Sequence, residues 1–136
     1  MKESLCIALL AMIFFASGIC LAEVPDLKGK WIASWDEFYQ GTGFVNDTAE
    51  NGSLIFTITE QKDRLFAGNM TYMVDNETKV DKELAGAIGL DNRTLYLAEF
   101  DGGYDEGTII SDNEIELIHL DDRGEVAIDQ LHRIMA

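Results

Sequence analysis

From Trp31 to the C-terminus the chain alternates. Apolar and polar residues exchange places along short runs, and clusters of Asn, Asp and Gly interrupt those runs about every 8–12 residues. A period of 2 marks a strand with one buried face. Many short strands joined by single turns predict an all-β sandwich or closed barrel. No useful 3.6-residue period appears beyond Ala22, so helical folds are set aside.

The runs are read in order. Lys30 to about Asp36 is the first strand, with Trp31, Ala33 and Trp35 on one face. Ser53–Thr59 is rich in β-branched and aromatic residues, and Leu54, Phe56 and Ile58 share a face. Leu65 to about Val74 returns as its hairpin partner, with Phe66, Gly68, Met70 and Tyr72 together. Lys82–Leu90, Thr94–Phe100, Tyr104–Ile110, Glu114–Leu120 and Glu125–Ile134 complete about eight strands. Between the first two lies a long loop, Glu37–Gly52, which carries Phe38, Tyr39 and Phe44 and is expected over the barrel mouth or plugging one end of the core. Single turns favour an up-and-down antiparallel barrel of about eight strands. Closure removes the sheet edges on which chains aggregate.

The N-terminus reads differently. Lys2 is followed by an apolar run, Leu5–Phe15, and then by Ala16, Ser17 and Gly18. That core is short of the roughly 20 residues of a membrane span, and its flanks fit an export signal ending near Ala22, or alternatively Gly18. Retention as an anchor and lipidation of Cys20 are the other readings. Both cysteines, Cys6 and Cys20, fall in this segment. A single domain of residues 23–136 then has no disulfide and no thiolate ligand. The expected location is secreted or cell-envelope, with no membrane span once the signal is removed.

The chain carries 10 Lys+Arg against 25 Asp+Glu, a net charge of -15. That sign repels phosphate backbones, so nucleic acid is not an expected partner. Cations or a basic protein fit it, and so does plain solubility.

Leu27-Lys28-Gly29-Lys30-Trp31, opening the first strand, resembles the Gly-x-Trp signature of the calycins: lipocalins, fatty-acid-binding proteins and avidins. Gly52-Ser53 and Phe66-Ala67-Gly68 are closest to the avidin version. The resemblance implies a barrel closed by Gly29, Trp31 and a basic residue of the last strand, here Arg133, over the indole. It implies a small, partly apolar ligand in the lumen. It does not carry biotin across, because the only tryptophans are Trp31 and Trp35, nor does it carry the lipocalin cysteines.

Parity gives a provisional lining. If Glu114 and Glu116 face water, then Ile115, Leu117 and His119 face in. If Glu125, Asp129 and Arg133 face water, then Val126, Ile128, Gln130 and His132 face in. With Trp35 and Tyr72 this proposes a ligand site of Trp35, Tyr72, His119, Gln130 and His132. The alternative is a filled core in which these groups hydrogen-bond one another.

No cofactor or metal site is assigned. Two histidines without a third placed ligand fall short of one, and the acidic turn with Glu99, Asp101, Asp105 and Glu106 lacks EF-hand spacing and reads as solvated. No Gly-x-Ser-x-Gly elbow or His-Glu-x-x-His helix occurs, so no catalytic residue is named and the chain is read as not an enzyme. Asn-x-Ser/Thr occurs at Asn46, Asn51, Asn69, Asn76 and Asn92, five glycosylation candidates in predicted turns or outward positions. The expected function is binding a small ligand in the lumen. A filled barrel acting through its acidic surface on a protein partner is the alternative.

Overall fold

The computed structural model describes residues 23–47, 54–74, 78–100 and 102–135. Residues 1–22, where an export signal is expected, lie outside them. No helix occurs among the described residues. The strands are β1 Gly29–Tyr39, β2 Gly43–Asp47, β3 Leu54–Lys62, β4 Leu65–Val74, β5 Thr78–Ile88, β6 Thr94–Glu99, β7 Tyr104–Ser111, β8 Glu114–Leu120 and β9 Glu125–Arg133.

All pairings are antiparallel and follow chain order from β3 to β9. β1 closes the ring. Gly29–Ile32 pair with β3, and Trp31–Tyr39 pair with β9. Eight strands thus form a closed up-and-down barrel, and β2 is one extra. It adds to the second half of β1, where β3 no longer reaches.

That extra strand corrects the expected loop. Gly41 has φ of +97°, a value only glycine takes readily, and it turns the chain so that Phe44 meets Phe38 in register. The two rings pack edge to face, 5.2 Å between centroids. The turn clusters hid a hairpin because the alternation around them is carried partly by carboxylates. Residues 48–53 of the predicted loop lie outside the described residues.

Inside, leucine, isoleucine and aromatic residues of alternate positions meet. Trp31, Phe56, Leu84, Ile88, Leu95 and Leu117 are the largest fully buried side chains. Burying such a side chain contributes about 1.5–3 kcal/mol, so this layer holds the barrel together without a disulfide. One gap, lined by Trp31, Phe56, Phe66, Leu95, Leu117 and Leu131 among the described residues, has a volume of about 20 Å³. One water needs about 10–15 Å³, so the side chains lining this gap pack closely against one another.

The base is sealed by the lead-in segment. Trp31 Nε1 donates to the Leu27 carbonyl at 3.0 Å. Gln61 holds the same segment, accepting from Leu27 N at 2.8 Å and donating to the Pro25 carbonyl at 2.7 Å. The Arg133 guanidinium carbon sits 4.2 Å from the Trp31 ring. Arg133 also donates to the carbonyls of Lys28, Asp26 and Asp112 at 2.6, 2.6 and 2.9 Å.

Candidate functional site

The opposite end of the lumen is polar. It is built where β6 ends, β7 begins and β8 ends, with the middle of β9 alongside. On β7, Asp105, Gly107 and Ile109 are buried while Tyr104, Glu106 and Thr108 are exposed. Parity therefore turns Asp105 inward. It stands opposite His119 of β8 in register. On β9, Ala127, Asp129 and Leu131 are buried and their neighbours Val126, Ile128 and His132 are exposed. The side chain of Glu99, at the end of β6, is 5% exposed.

These groups meet. His119 Nδ1 lies 2.9 Å from Asp105 Oδ1 and 3.7 Å from Glu99 Oε1. Ligand atoms of Glu99, Asp105 and His119 all fall within 4.8 Å of one another. Asp105 Oδ2 is buried and has no hydrogen-bond partner. An unsatisfied buried carboxylate oxygen is costly and needs a physical reason.

The site's electrostatics follow from this crowding. The hydrogen bond to Asp105 holds the His119 proton, raising its pKa to about 9 against the opposing effect of burial. Burial, then repulsion from Asp105, pushes Glu99 up to about 7. The same two causes push Asp129 up to about 7. Lys82 of β5 reaches the field of Glu99, with its ammonium 5.6 Å from the centroid of the Tyr72 ring. The carboxyls of Glu99, Asp105, Asp121, Glu125 and Asp129 gather here, and the cations whose fields reach them are His119, Lys82 and, at Asp121 and Glu125, Arg123. The end of the lumen carries an excess of negative charge.

Gly103 sets the imidazole in place. Its φ is +92°, and a Cβ there would run into the His119 ring. The Gly102-Gly103 turn is therefore required twice, for its backbone angle and for its close approach to the ring.

The expected lining divides. Trp35 stands opposite Asp129 in register and shares its inner face. Tyr72 packs against the core, and His119 is buried. Gln130 and His132 are corrections. They point outward, Gln130 to Glu116 Oε2 at 2.5 Å and His132 with more than half its side chain exposed. The parity of β9 was reversed by assuming that Asp129 must seek water. Its inward set is Ala127, Asp129, Leu131 and then Arg133, which is how Arg133 reaches Trp31. The acidic turn is likewise corrected, since Asp105 is 4% exposed. Glu106 is exposed as expected, and Asp101 lies outside the described residues. The alternation of Asp105 with Gly107 and Ile109 was the signal that pointed to it.

Of the glycosylation candidates, Asn69 is half-buried on β4 opposite Thr57 and Glu83. Asn92 occupies a turn with φ of +56°, and its amide donates to the Glu23 carbonyl at 3.5 Å. Asn46 lies on β2. Asn51 and Asn76 fall outside the described residues.

No family model matches the chain, and no curated protein does. Among solved structures, a redesigned β-barrel, b11L5F_LGL, is similar in fold: TM-score 0.63 at 10% identity, covering 80% of this chain and 92% of that one. At that identity the likeness is one of architecture alone, that of a closed antiparallel barrel.

Proposed function

We propose that this chain is an exported, calycin-like barrel that works by binding rather than catalysis, and that its ligand is a small cation held at the acidic end of the lumen. Export is supported by the Leu5–Phe15 run, by the small residues that follow and by the confinement of both cysteines to that segment. The observation that carries the ligand reading is Asp105 Oδ2, buried without a partner beside an imidazole and further carboxyls. The close packing around Trp31, Leu117 and Leu131, where the gap has room for about one water, supports a small ligand at the acidic end over a large apolar one among those side chains. Ligand pockets for larger apolar molecules are roughly 300 Å³ or more.

Native mass spectrometry of the protein from its own source tests this. A non-covalent excess mass is expected that vanishes on denaturation and is missing from Asp129→Asn/Glu99→Gln. The denatured mass should also start at Glu23. Equal native and denatured masses, or an excess that the double variant retains, would overturn the ligand reading.

A second reading has its own observation. Phe44, Phe38, Val126, Leu120 and Tyr104 stand opposite one another in register from β2 to β7 on the outer wall, all exposed. In the adjoining row Asp36 and Glu106 bracket Ile128 and Ile118. Contiguous exposed apolar surface marks an interaction site. A net charge of -15 disfavours a second copy and fits a basic protein. Binding to such a partner should be lost both in Leu120→Asp and at high salt. Retention under both conditions would remove this reading.

A further inference from the structure

We infer that Glu99, Asp105 and His119 form a binding site for a divalent first-row transition-metal ion, Zn²⁺ or Mn²⁺ being the best matched. This rests on the reading of the acidic lumen end as a cation site and narrows it to one ligand class.

Geometry supports it first. Zn²⁺ binds imidazole nitrogen and carboxylate oxygen at about 2.0–2.2 Å. Two ligand atoms on one ion are therefore about 3–4 Å apart. His119 Nδ1 is 2.9 Å from Asp105 Oδ1 and 3.7 Å from Glu99 Oε1. An ion among them asks for small side-chain shifts, not a new backbone. Gly103 lies against the ring so closely that a Cβ there would collide with it, which restricts the ring's position.

The second support is independent of the acidity. Asp105 is 4% exposed, its Oδ1 is engaged by His119, and its Oδ2 has no partner. The two oxygens share one carbon, so the orphan sits at the cluster. A metal ion supplies the missing partner for a group that water does not reach.

Donor chemistry selects the ion. One imidazole with carboxylates suits Zn²⁺ and Mn²⁺. Ca²⁺ wants about 6–8 oxygens, and Mg²⁺ keeps several waters. The neighbouring set His119, Asp121 and Glu125 is also close enough. Asp121, however, is already clamped by Arg123 through Nε and Nη2 at 2.9 and 2.6 Å. Among the described residues no arginine clamps Glu99 or Asp105, whose ion-pair contacts are with His119.

The test uses chelator-stripped protein titrated with ZnCl₂ and MnCl₂ by calorimetry. One equivalent should bind. Asp105→Asn and His119→Gln should each raise Kd about tenfold or more, since one of three ligands is lost. Glu106→Gln, on the outer wall, should leave it unchanged. The two histidines provide a readout that needs no variant. In the wild type, Zn²⁺ should shift the ring resonances of His119 and leave those of His132. No metal binding, or metal binding that moves neither His119 nor the affinity of the two ligand variants, would overturn the inference. Ethylammonium and guanidinium are run in parallel. If they bind and metals do not, the metal site falls and the small-cation reading survives. If neither binds, both fall.

Discussion

His119 and Asp105 are register partners on β8 and β7, and their side chains close on each other inside the barrel at 2.9 Å. Neither would tolerate burial alone. Together they form a charge-assisted hydrogen bond of the kind that survives removal from water. The pair sits among other carboxyls, so its charge state is tied to theirs. This makes the acidic end of the barrel the part whose stability contribution changes through neutral and alkaline pH.

Metal-free protein should be most stable near pH 4–5 and lose stability on either side. Glu99 and Asp129 have pKa values raised to about 7, so the fold holds their protons more tightly than the unfolded chain does. Their contribution is complete below the ordinary carboxylate range and is lost as pH rises through about 7. His119, raised to about 9, contributes fully below 6.5 and loses that contribution through about 9. All three act in the same direction. Asp91 and Asp121, lowered to about 2, act in the opposite one, and their contribution is lost as pH falls from 3.8 toward 2. Urea midpoints in chelator at pH 3, 5, 7 and 9.5 should peak at pH 5. A midpoint that climbs from pH 5 to 9.5 would contradict this assignment.

Arg133→Ala should destabilise by about 2–3 kcal/mol. It removes the contact over the Trp31 ring, worth about 0.5–2 kcal/mol, and charged hydrogen bonds to three carbonyls that pin the lead-in segment. Arg133→Lys should recover less than half, because an ammonium lacks the planar fork that reaches Asp26, Lys28 and Asp112 together. Equilibrium urea unfolding of the three proteins checks the order. Equal stability of the wild type and the lysine variant would mean that the fork is dispensable.

Gly103→Ala should cost about 1–3 kcal/mol from its positive φ and displace His119 as well. The displacement separates this variant from a generic turn defect. The His119 ring resonances and their titration should move, while those of His132 stay fixed. A variant that loses stability yet keeps the His119 titration would show that Gly103 serves the turn only.

Much of the architecture was legible because it depends on period and punctuation. Alternation gave the strands and turn residues gave the meander, whereas Arg133 over Trp31 was implied by the calycin resemblance against a parity that turned Arg133 toward water. The site was harder. Its chemistry rests on acids that face inward, and the working assumption that a carboxylate faces water reverses parity wherever acids are buried together. Asp129 misled β9 in that way, turning Gln130 and His132 inward on paper. His119 was found because Glu114 and Glu116 do face out on β8. Its partners Glu99 and Asp105 were singled out as an acidic turn but read as solvated, because they come from β6 and β7 and only the three-dimensional pairing brings those strands beside His119.

The corrected parity of β9 can be tested at two adjacent positions. Leu131 is 3% exposed and packs in the core, whereas more than half of the His132 side chain is exposed. Leu131→Ala leaves a hole among tightly packed neighbours and should cost about 2–5 kcal/mol. His132→Ala changes an outward side chain whose nearest acid, Glu114, is 4.0 Å away, so it should stay within about 0.5 kcal/mol of the wild type. A strand slipped by one residue would exchange the two results, because a shift of one position sends every side chain to the other face. Urea unfolding of the two variants beside the wild type therefore reads the register of β9 directly. With it comes the placement of Asp129 at the acidic end of the lumen, since Leu131 and Asp129 share a face.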